Sequence, residues 1–144
     1  MKTHQLVRKD DGRDFDYSQD HCFVKLASQE TKGELCFVED HLKPGFKLGR
    51  HHHKIMTEVF YILEGEVTFQ FDDETITLVA GDTLTVPPNA WHAASCESGG
   101  RMLTIFKNGR FDEYLERLSG MTDAQFQDAE LMKSVAAEFD IYEE

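Results

Sequence analysis

The segment GRHHHKIMTE, residues 49–58, sets three consecutive histidines and a glutamate in the middle of the chain. In an extended strand the side chains alternate between two faces, so His51 and His53 share one face and His52 lies on the other. Two imidazoles about 6–7 Å apart along one face can chelate an ion if further ligands arrive from elsewhere. The segment lies far from both termini and is not a purification tag. It is therefore either a solvated loop or part of a metal site.

Two further residues are candidates for the missing ligands. Glu58 follows His53 by five residues, an odd spacing that would place it on the wrong face of a continuous strand. The intervening residues must therefore contain a turn or bulge, with Glu58 at the start of the next strand. Phe60 and Ile62 share the face of Glu58, so the acid is expected among apolar neighbours. His92, within PPNAWHAAS, is the remaining candidate.

Composition limits the classes of partner. The 144 residues indicate one domain, and a net charge of −12 argues against binding to nucleic acid or to an anionic membrane. Cys22, Cys36 and Cys96 form no CxxC pair, so neither a disulfide framework nor a zinc knuckle is predicted. Free thiols fit a reducing compartment. No apolar run typical of a signal peptide or a membrane span is seen, so a cytoplasmic location is expected.

Short strand-like segments dominate the middle of the chain. Along residues 67–71, apolar side chains alternate with polar ones at the period of a half-buried strand. Glu64-Gly65 and Asp72-Asp73 are expected to form hairpin turns. Residues 101–107 predict a further strand. Many short strands at regular spacing predict a β-sandwich or barrel.

The two ends of the chain differ from this β region. The first 20 residues are largely polar and are expected to form a loose arm. After residue 108, apolar residues recur at helical spacing, and Thr122 with Gln125 predicts a capping box. Two short helices packed on the outside of the β body are therefore expected.

The histidine segment belongs to a longer pattern that resembles the first motif of the cupin family, G-x5-H-x-H-x(3,4)-E-x6-G. Its fixed positions are occupied by Gly45, His51, His53, Glu58 and Gly65.

The second cupin motif, G-x5-P-x-G-x2-H-x3-N, is matched with two departures. Gly81, Pro87 and His92 occupy fixed positions, whereas Asn89 replaces the second glycine and Cys96 replaces the final asparagine. Asparagine tolerates a positive φ better than most residues, so the turn is expected to survive.

The resemblance implies an all-β fold, with a single cupin barrel (a double-stranded β-helix or jelly roll) over residues 21–108. The arm would cover residues 1–20, and the two short C-terminal helices would form an extension over residues 109–144 that packs on the barrel. Cupins of this kind resemble one another in forming dimers through their outer strands, so a homodimer is expected.

The resemblance also implies one metal ion, held by His51, His53, Glu58 and His92. Three imidazoles and a carboxylate suit a divalent transition metal (iron, manganese, nickel, copper or zinc). Because a cysteine ligand is missing, the set does not resemble structural zinc.

The C-terminal segments FDEYLERL and LMKSVAAEFDIY are similar to the ends of small quercetin-dioxygenase-like cupins. This likeness implies a metal-dependent oxidoreductase, a dioxygenase acting on a small organic and aromatic substrate, with Glu58 as the catalytic proton acceptor. Two alternatives stay open. One is an isomerase, cyclase or lyase without oxygen chemistry; the other is a non-catalytic cupin that binds a small molecule. The residues expected to line the substrate pocket are Phe60, Ile62, Trp91, Cys96, Met102 and Phe106.

Overall fold

The structure, a computed structural model, describes residues 3–144. Within this range eleven strands, numbered in chain order, form two antiparallel sheets. The first sheet contains, in spatial order, β1 (Arg13–Asp16), β2 (Asp20–Leu26), β3 (Leu35–Leu42), β10 (Gly100–Lys107), β5 (Thr57–Glu64) and β8 (Thr83–Val86). The second contains β11 (Tyr142–Glu143), β4 (Phe46–His52), β9 (His92–Cys96), β6 (Val67–Phe71) and β7 (Thr75–Leu78). The all-β expectation is confirmed.

The helical elements lie outside the sheets. They are a 3-10 helix at Ser28–Thr31 and the α-helices α1 (Phe111–Ser119), α2 (Asp123–Gln127) and α3 (Ala129–Glu138). None of the helices in residues 3–144 is long and apolar enough to cross a bilayer.

The main core lies between the two sheets. It forms because alternate residues of each strand point inward, as the pattern over residues 67–71 predicts. Val67 and Phe69 on β6 are fully buried, and the Phe69 ring lies 4.7 Å, centroid to centroid, from Phe60 on β5. Burying such side chains stabilises the fold by about 1.5–3 kcal/mol each.

A second core joins the C-terminal helices to the first sheet. Leu115 of α1 and Ala136 of α3 are buried with Val38 and Phe106 of the sheet. The Tyr17 hydroxyl donates a hydrogen bond of 2.7 Å to the Leu115 carbonyl. This core packs α1 and α3 against the first sheet.

The N-terminal segment differs from the expected loose arm. Residues 13–16 form strand β1, which pairs with β2 and aligns Phe15 with Cys22. Phe15 is only 7% exposed, so burial of this ring orders the strand. The first two residues of the arm, Met1 and Lys2, lie outside the described range.

The C-terminal extension contains three helices in the described range, and the expectation of two is wrong. Thr122 and Gln125 form the predicted capping box at the start of α2. The helix ends after one turn because Asp128 adopts an extended backbone, and its side chain accepts a hydrogen bond of 3.1 Å from the Leu131 amide. An aspartate that caps a new helix interrupts the preceding one.

One of the two expected hairpin turns is instead a crossover between sheets. Asp72-Asp73 joins the paired strands β6 and β7. Glu64-Gly65 joins β5 to β6, which belong to different sheets. Gly65 has a φ of 86°, and a Cβ at this position would lie 2.6 Å from the Gly99 carbonyl oxygen. Only glycine fits this corner.

Substituting the corner glycine should destabilise the protein more than substituting a glycine in open space. Gly65→Ala combines a left-handed alanine, which costs about 1–3 kcal/mol, with a backbone clash. Gly81→Ala is the matched control, because Gly81 has a φ of 94° with no atom within 4 Å of the new Cβ. Denaturant unfolding should show the larger loss for Gly65→Ala; equal losses would contradict the crossover geometry.

Candidate metal centre

The fold brings together four side chains from three separate parts of the chain. One ligand atom from each of His51, His53, Glu58 and His92 lies within 4.8 Å of the others. All four residues are at most 5% exposed. His51 on β4 aligns with His92 on β9 in the second sheet, whereas Glu58 comes from β5 in the first. The cluster therefore bridges the two sheets inside the barrel.

Backbone carbonyls orient all three imidazoles in the same way. The Nδ1 atom of each ring lies near one carbonyl oxygen: His51 with Gly49 at 2.7 Å, His53 with Asp140 at 2.7 Å, and His92 with Ala90 at 2.9 Å. A carbonyl oxygen can only accept, so each Nδ1 carries a proton. When such a ring is neutral, its Nε2 carries the lone pair that faces the cluster and can bind a metal ion.

The atoms at the centre of the cluster lack protein hydrogen-bond partners. The Nε2 atoms of His53 and His92 and the Oε1 atom of Glu58 are buried and unpartnered. Oε1 of Glu58 lies against Nε2 of His53 and 3.3 Å from Nε2 of His92. Buried lone pairs that face one another are costly unless a cation or a proton lies between them. This donor set fits a metal ion.

The electrostatics of the cluster agree with ligation. Burial, aided by the nearby His92, lowers the pKa of His51 to about 4, so this ring is neutral at physiological pH. Burial alone would raise the pKa of Glu58, but contacts with His53 and His92 outweigh it and lower the pKa to about 2. Burial opposes the charged form of His53, yet contact with Glu58 outweighs it and raises the His53 pKa. A proton on His53 therefore competes with a metal ion for the same place.

The loop that carries His92 preserves the turn of the second motif. Asn89 has a φ of 70°, the left-handed conformation that its motif position requires. Its backbone amide donates a hydrogen bond of 2.6 Å to the His53 carbonyl. This hydrogen bond joins the turn that precedes His92 to the backbone of His53.

A cavity of about 490 Å³ borders His51, His53 and Glu58. Its apolar walls are formed by Phe46, Phe60, Met102, Phe106, Phe111 and Ile141. Phe106 and Phe111 stack at 4.6 Å between ring centroids.

Three of the six side chains expected in a pocket line this cavity, namely Phe60, Met102 and Phe106. The other three, Ile62, Trp91 and Cys96, do not line it. Ile62 and Cys96 are packed in the core between the sheets. Trp91 packs against His52 at a tilt, with 4.3 Å between ring centroids, and the Arg50 guanidinium lies over its ring. Strand alternation gives the face of a residue, not its depth along the barrel.

An acidic pair, one member buried and the other half-buried, forms another part of the cavity wall. Asp20 and Asp40 line it, and the Thr104 hydroxyl donates a hydrogen bond of 2.8 Å to Asp40. Burial, reinforced by the charge of Asp20, raises the pKa of Asp40 well above the usual range. Asp40 interrupts an inward-facing apolar series on β3, and this was the sequence signal that could have revealed it.

Comparisons with known proteins agree with the fold. Residues 38–106 match the family model of the cupin domain, Cupin_2. Over 96 residues, or 66% of this chain, the sequence is 32% identical to quercetin 2,3-dioxygenase from Bacillus subtilis. The chain covers only 28% of the length of that relative.

Solved structures extend the likeness to the whole barrel. An RmlC-like cupin from Shewanella frigidimarina has a TM-score of 0.66 at 25% identity, with coverage of 77% of this chain and 96% of that one. KdgF from a Halomonas species has a TM-score of 0.67 at 17% identity, with coverage of 76% and 99%. The architecture is a cupin jelly roll. Residues 38–106 are a cupin domain, and the chain is a small cupin-type protein.

Removal of a candidate ligand should abolish metal binding, whereas removal of the neighbouring imidazole should not. Loss of an outer-shell partner typically weakens metal affinity by about 10- to 100-fold. For the ligand variant His92→Ala we expect a larger loss of affinity than that. His52→Ala is the matched control, because His52 packs against Trp91 and Tyr142 outside the cluster. Metal content after dialysis measures both; wild-type content in His92→Ala would contradict the ligand assignment.

Asp40→Asn should flatten the dependence of stability on pH. Since the pKa of Asp40 is raised, the folded state binds more protons than the unfolded state above the ordinary aspartate range. Wild-type stability should therefore fall as the pH rises through this window, by at most about 1.4 kcal/mol per pH unit for one proton. Urea unfolding from pH 4 to 8 should show a smaller decline in the variant; parallel curves would contradict this account.

Proposed function

We propose that this protein is a metal-dependent oxidoreductase, a dioxygenase that acts on a small, largely apolar and aromatic substrate. The observation that carries the proposal is the convergence of three Nε2 atoms and one carboxylate at the wall of an aromatic-lined cavity. A redox-active centre beside an apolar cavity suits a substrate that must be held away from bulk water.

The donors His51, His53, Glu58 and His92 would hold one divalent transition metal, with iron, manganese, nickel, copper and zinc as candidates. When bound, such an ion supplies Lewis acidity toward a substrate oxygen and, if redox-active, access to dioxygen. Among these donors, His51 is a neutral imidazole, since burial keeps it unprotonated at physiological pH.

Glu58 is the proposed proton acceptor. Its carboxylate belongs to both the histidine cluster and the cavity wall, so a substrate hydroxyl that enters the cluster would meet it. The low pKa of Glu58 makes it a weak base, so transfer of that proton to a Glu58 oxygen would depend on the cationic centre, which stabilises the anionic substrate oxygen that is left.

The walls of the cavity fit a flat ring. A volume of about 490 Å³ lies within the range of pockets that take drug-sized ligands. Phe60, Phe106 and Phe111 provide apolar surface, and aromatic rings gain about 0.5–1.5 kcal/mol from such packing beyond burial. Asp40 and Thr104 add polar groups that could bind a hydroxyl away from the cluster.

The relative from Bacillus subtilis supports this choice of reaction over its alternatives. Its name records dioxygenation of quercetin, a polyhydroxylated aromatic compound, and this chain is 32% identical to it over 96 residues. The homodimer and the cytoplasmic location expected from the sequence stay predictions.

Oxygen uptake tests the proposal. The protein would be purified anaerobically, reconstituted with each candidate ion in turn, and mixed with quercetin and a panel of phenols and diketones. We expect oxygen consumption coupled to substrate loss with at least one ion, retained in the matched control His52→Ala and lost in His92→Ala. Turnover without oxygen uptake would favour an isomerase, cyclase or lyase; tight binding without turnover would favour a binding protein.

Glu58→Gln separates ligation from proton transfer. The amide keeps the shape of the side chain but removes its charge and its basicity. We expect weaker metal binding, and at saturating metal a fall in kcat of about 100-fold or more, the usual contribution of a positioned base. Unchanged kcat in the reconstituted variant would remove Glu58 from the mechanism.

A further inference from the structure

Asp140, in the turn between α3 and β11, contacts the chain segment that carries two of the candidate ligands. Its carbonyl oxygen accepts the hydrogen bond of 2.7 Å from His53 Nδ1. Its carboxylate accepts hydrogen bonds from three consecutive backbone amides, those of Lys54 at 2.8 Å, Ile55 at 2.9 Å and Met56 at 2.8 Å. Four hydrogen bonds thus join one C-terminal residue to a segment more than 80 positions away.

We propose that Asp140 is a positioning residue for the metal centre, setting both the ring of His53 and the path of the chain from His53 to Glu58. The proposal rests on the metal binding proposed above. It assigns to the C-terminal extension a role in the site itself.

The two groups of Asp140 control different parts of the geometry. The carbonyl fixes the rotation and the tautomer of the His53 ring, so that Nε2 points into the cluster. The carboxylate fixes residues 54–56, the turn that places Glu58 on the same side as His53. Without it, three backbone N–H groups would lose their partner. A row of such amides is a typical site for an anionic oxygen.

Asp140 is itself firmly held. It has a φ of 63°, a conformation that aspartate, asparagine and glycine accept more readily than other residues. The next residue, Ile141, is 8% exposed and belongs to the same buried cluster as Met56, which is fully buried. Beyond it, β11 pairs Tyr142 with His52 on β4. The turn that contains Asp140 is therefore held in place by the contacts of the two residues that follow it.

A purely structural role of Asp140 and a positioning role lead to different expected results. Asp128 offers the matched control, because its side chain caps α3 in the same extension but has no hydrogen bond to the histidine segment. Loss of either aspartate should lower thermal stability. Only loss of the Asp140 carboxylate should change how the cluster binds a metal.

Titration of the metal-free protein with Co²⁺, followed by its visible ligand-field absorption, tests the proposal. Asp140→Gly removes the carboxylate but keeps the carbonyl and permits the positive φ. We expect its Kd for Co²⁺ to rise by about 10- to 100-fold, with an altered absorption spectrum. Asp140→Asn, which keeps one acceptor oxygen, should fall between it and the wild type. Asp128→Ala should keep the wild-type Kd and spectrum.

The results distinguish failure of the positioning role from failure of the metal centre. Wild-type Kd and spectrum in a folded Asp140→Gly would overturn the positioning role while leaving metal binding intact. An equal loss in Asp128→Ala would also overturn it, because the effect would then come from general destabilisation. If Asp140→Gly does not fold, Asp140→Asn carries the same test. Absence of Co²⁺ binding by the wild type would overturn the metal centre as well.

Discussion

The burial of three imidazoles around one carboxylate is the constraint on which the rest of the structure depends. Each ring has its Nδ1 proton bound by a backbone carbonyl, so its Nε2 can only face the others and Glu58. Such a buried assembly is costly unless a cation or a proton lies between the lone pairs. A metal ion bound between these lone pairs would offset that cost in free energy.

The barrel supplies the rigidity that this arrangement needs. The two sheets hold Glu58 on one side and His51 with His92 on the other, and the packed core between them fixes their separation. Gly65 lets the chain cross between the sheets where any side chain would collide with Gly99. The C-terminal extension contacts the ligand segment through the hydrogen bonds of Asp140 to residues 53–56.

The local parts of this arrangement were predictable from the sequence. The alternation of strand faces pairs His51 with His53 and excludes His52, and the odd spacing to Glu58 requires the turn that residues 53–56 form. Motif spacing was needed to add His92, which no local pattern distinguishes from an ordinary buried histidine. These inferences succeed because they depend on periods of two residues and on short turns.

The parts that depend on long-range contacts were not predictable. Periodicity placed Ile62 on the inner face but could not show that the cavity ends before it. The turn at Glu64-Gly65 resembles a hairpin locally, and only sheet topology reveals the crossover. Asp140 has no local signature, since its partners lie more than 80 residues away.

X-ray absorption spectroscopy of the zinc-loaded protein tests the central claim most directly. The account predicts a first shell of nitrogen and oxygen only, at about 2.0–2.2 Å, with the multiple-scattering pattern of three imidazoles. A sulfur scatterer near about 2.3 Å, or fewer than two imidazoles, would contradict it.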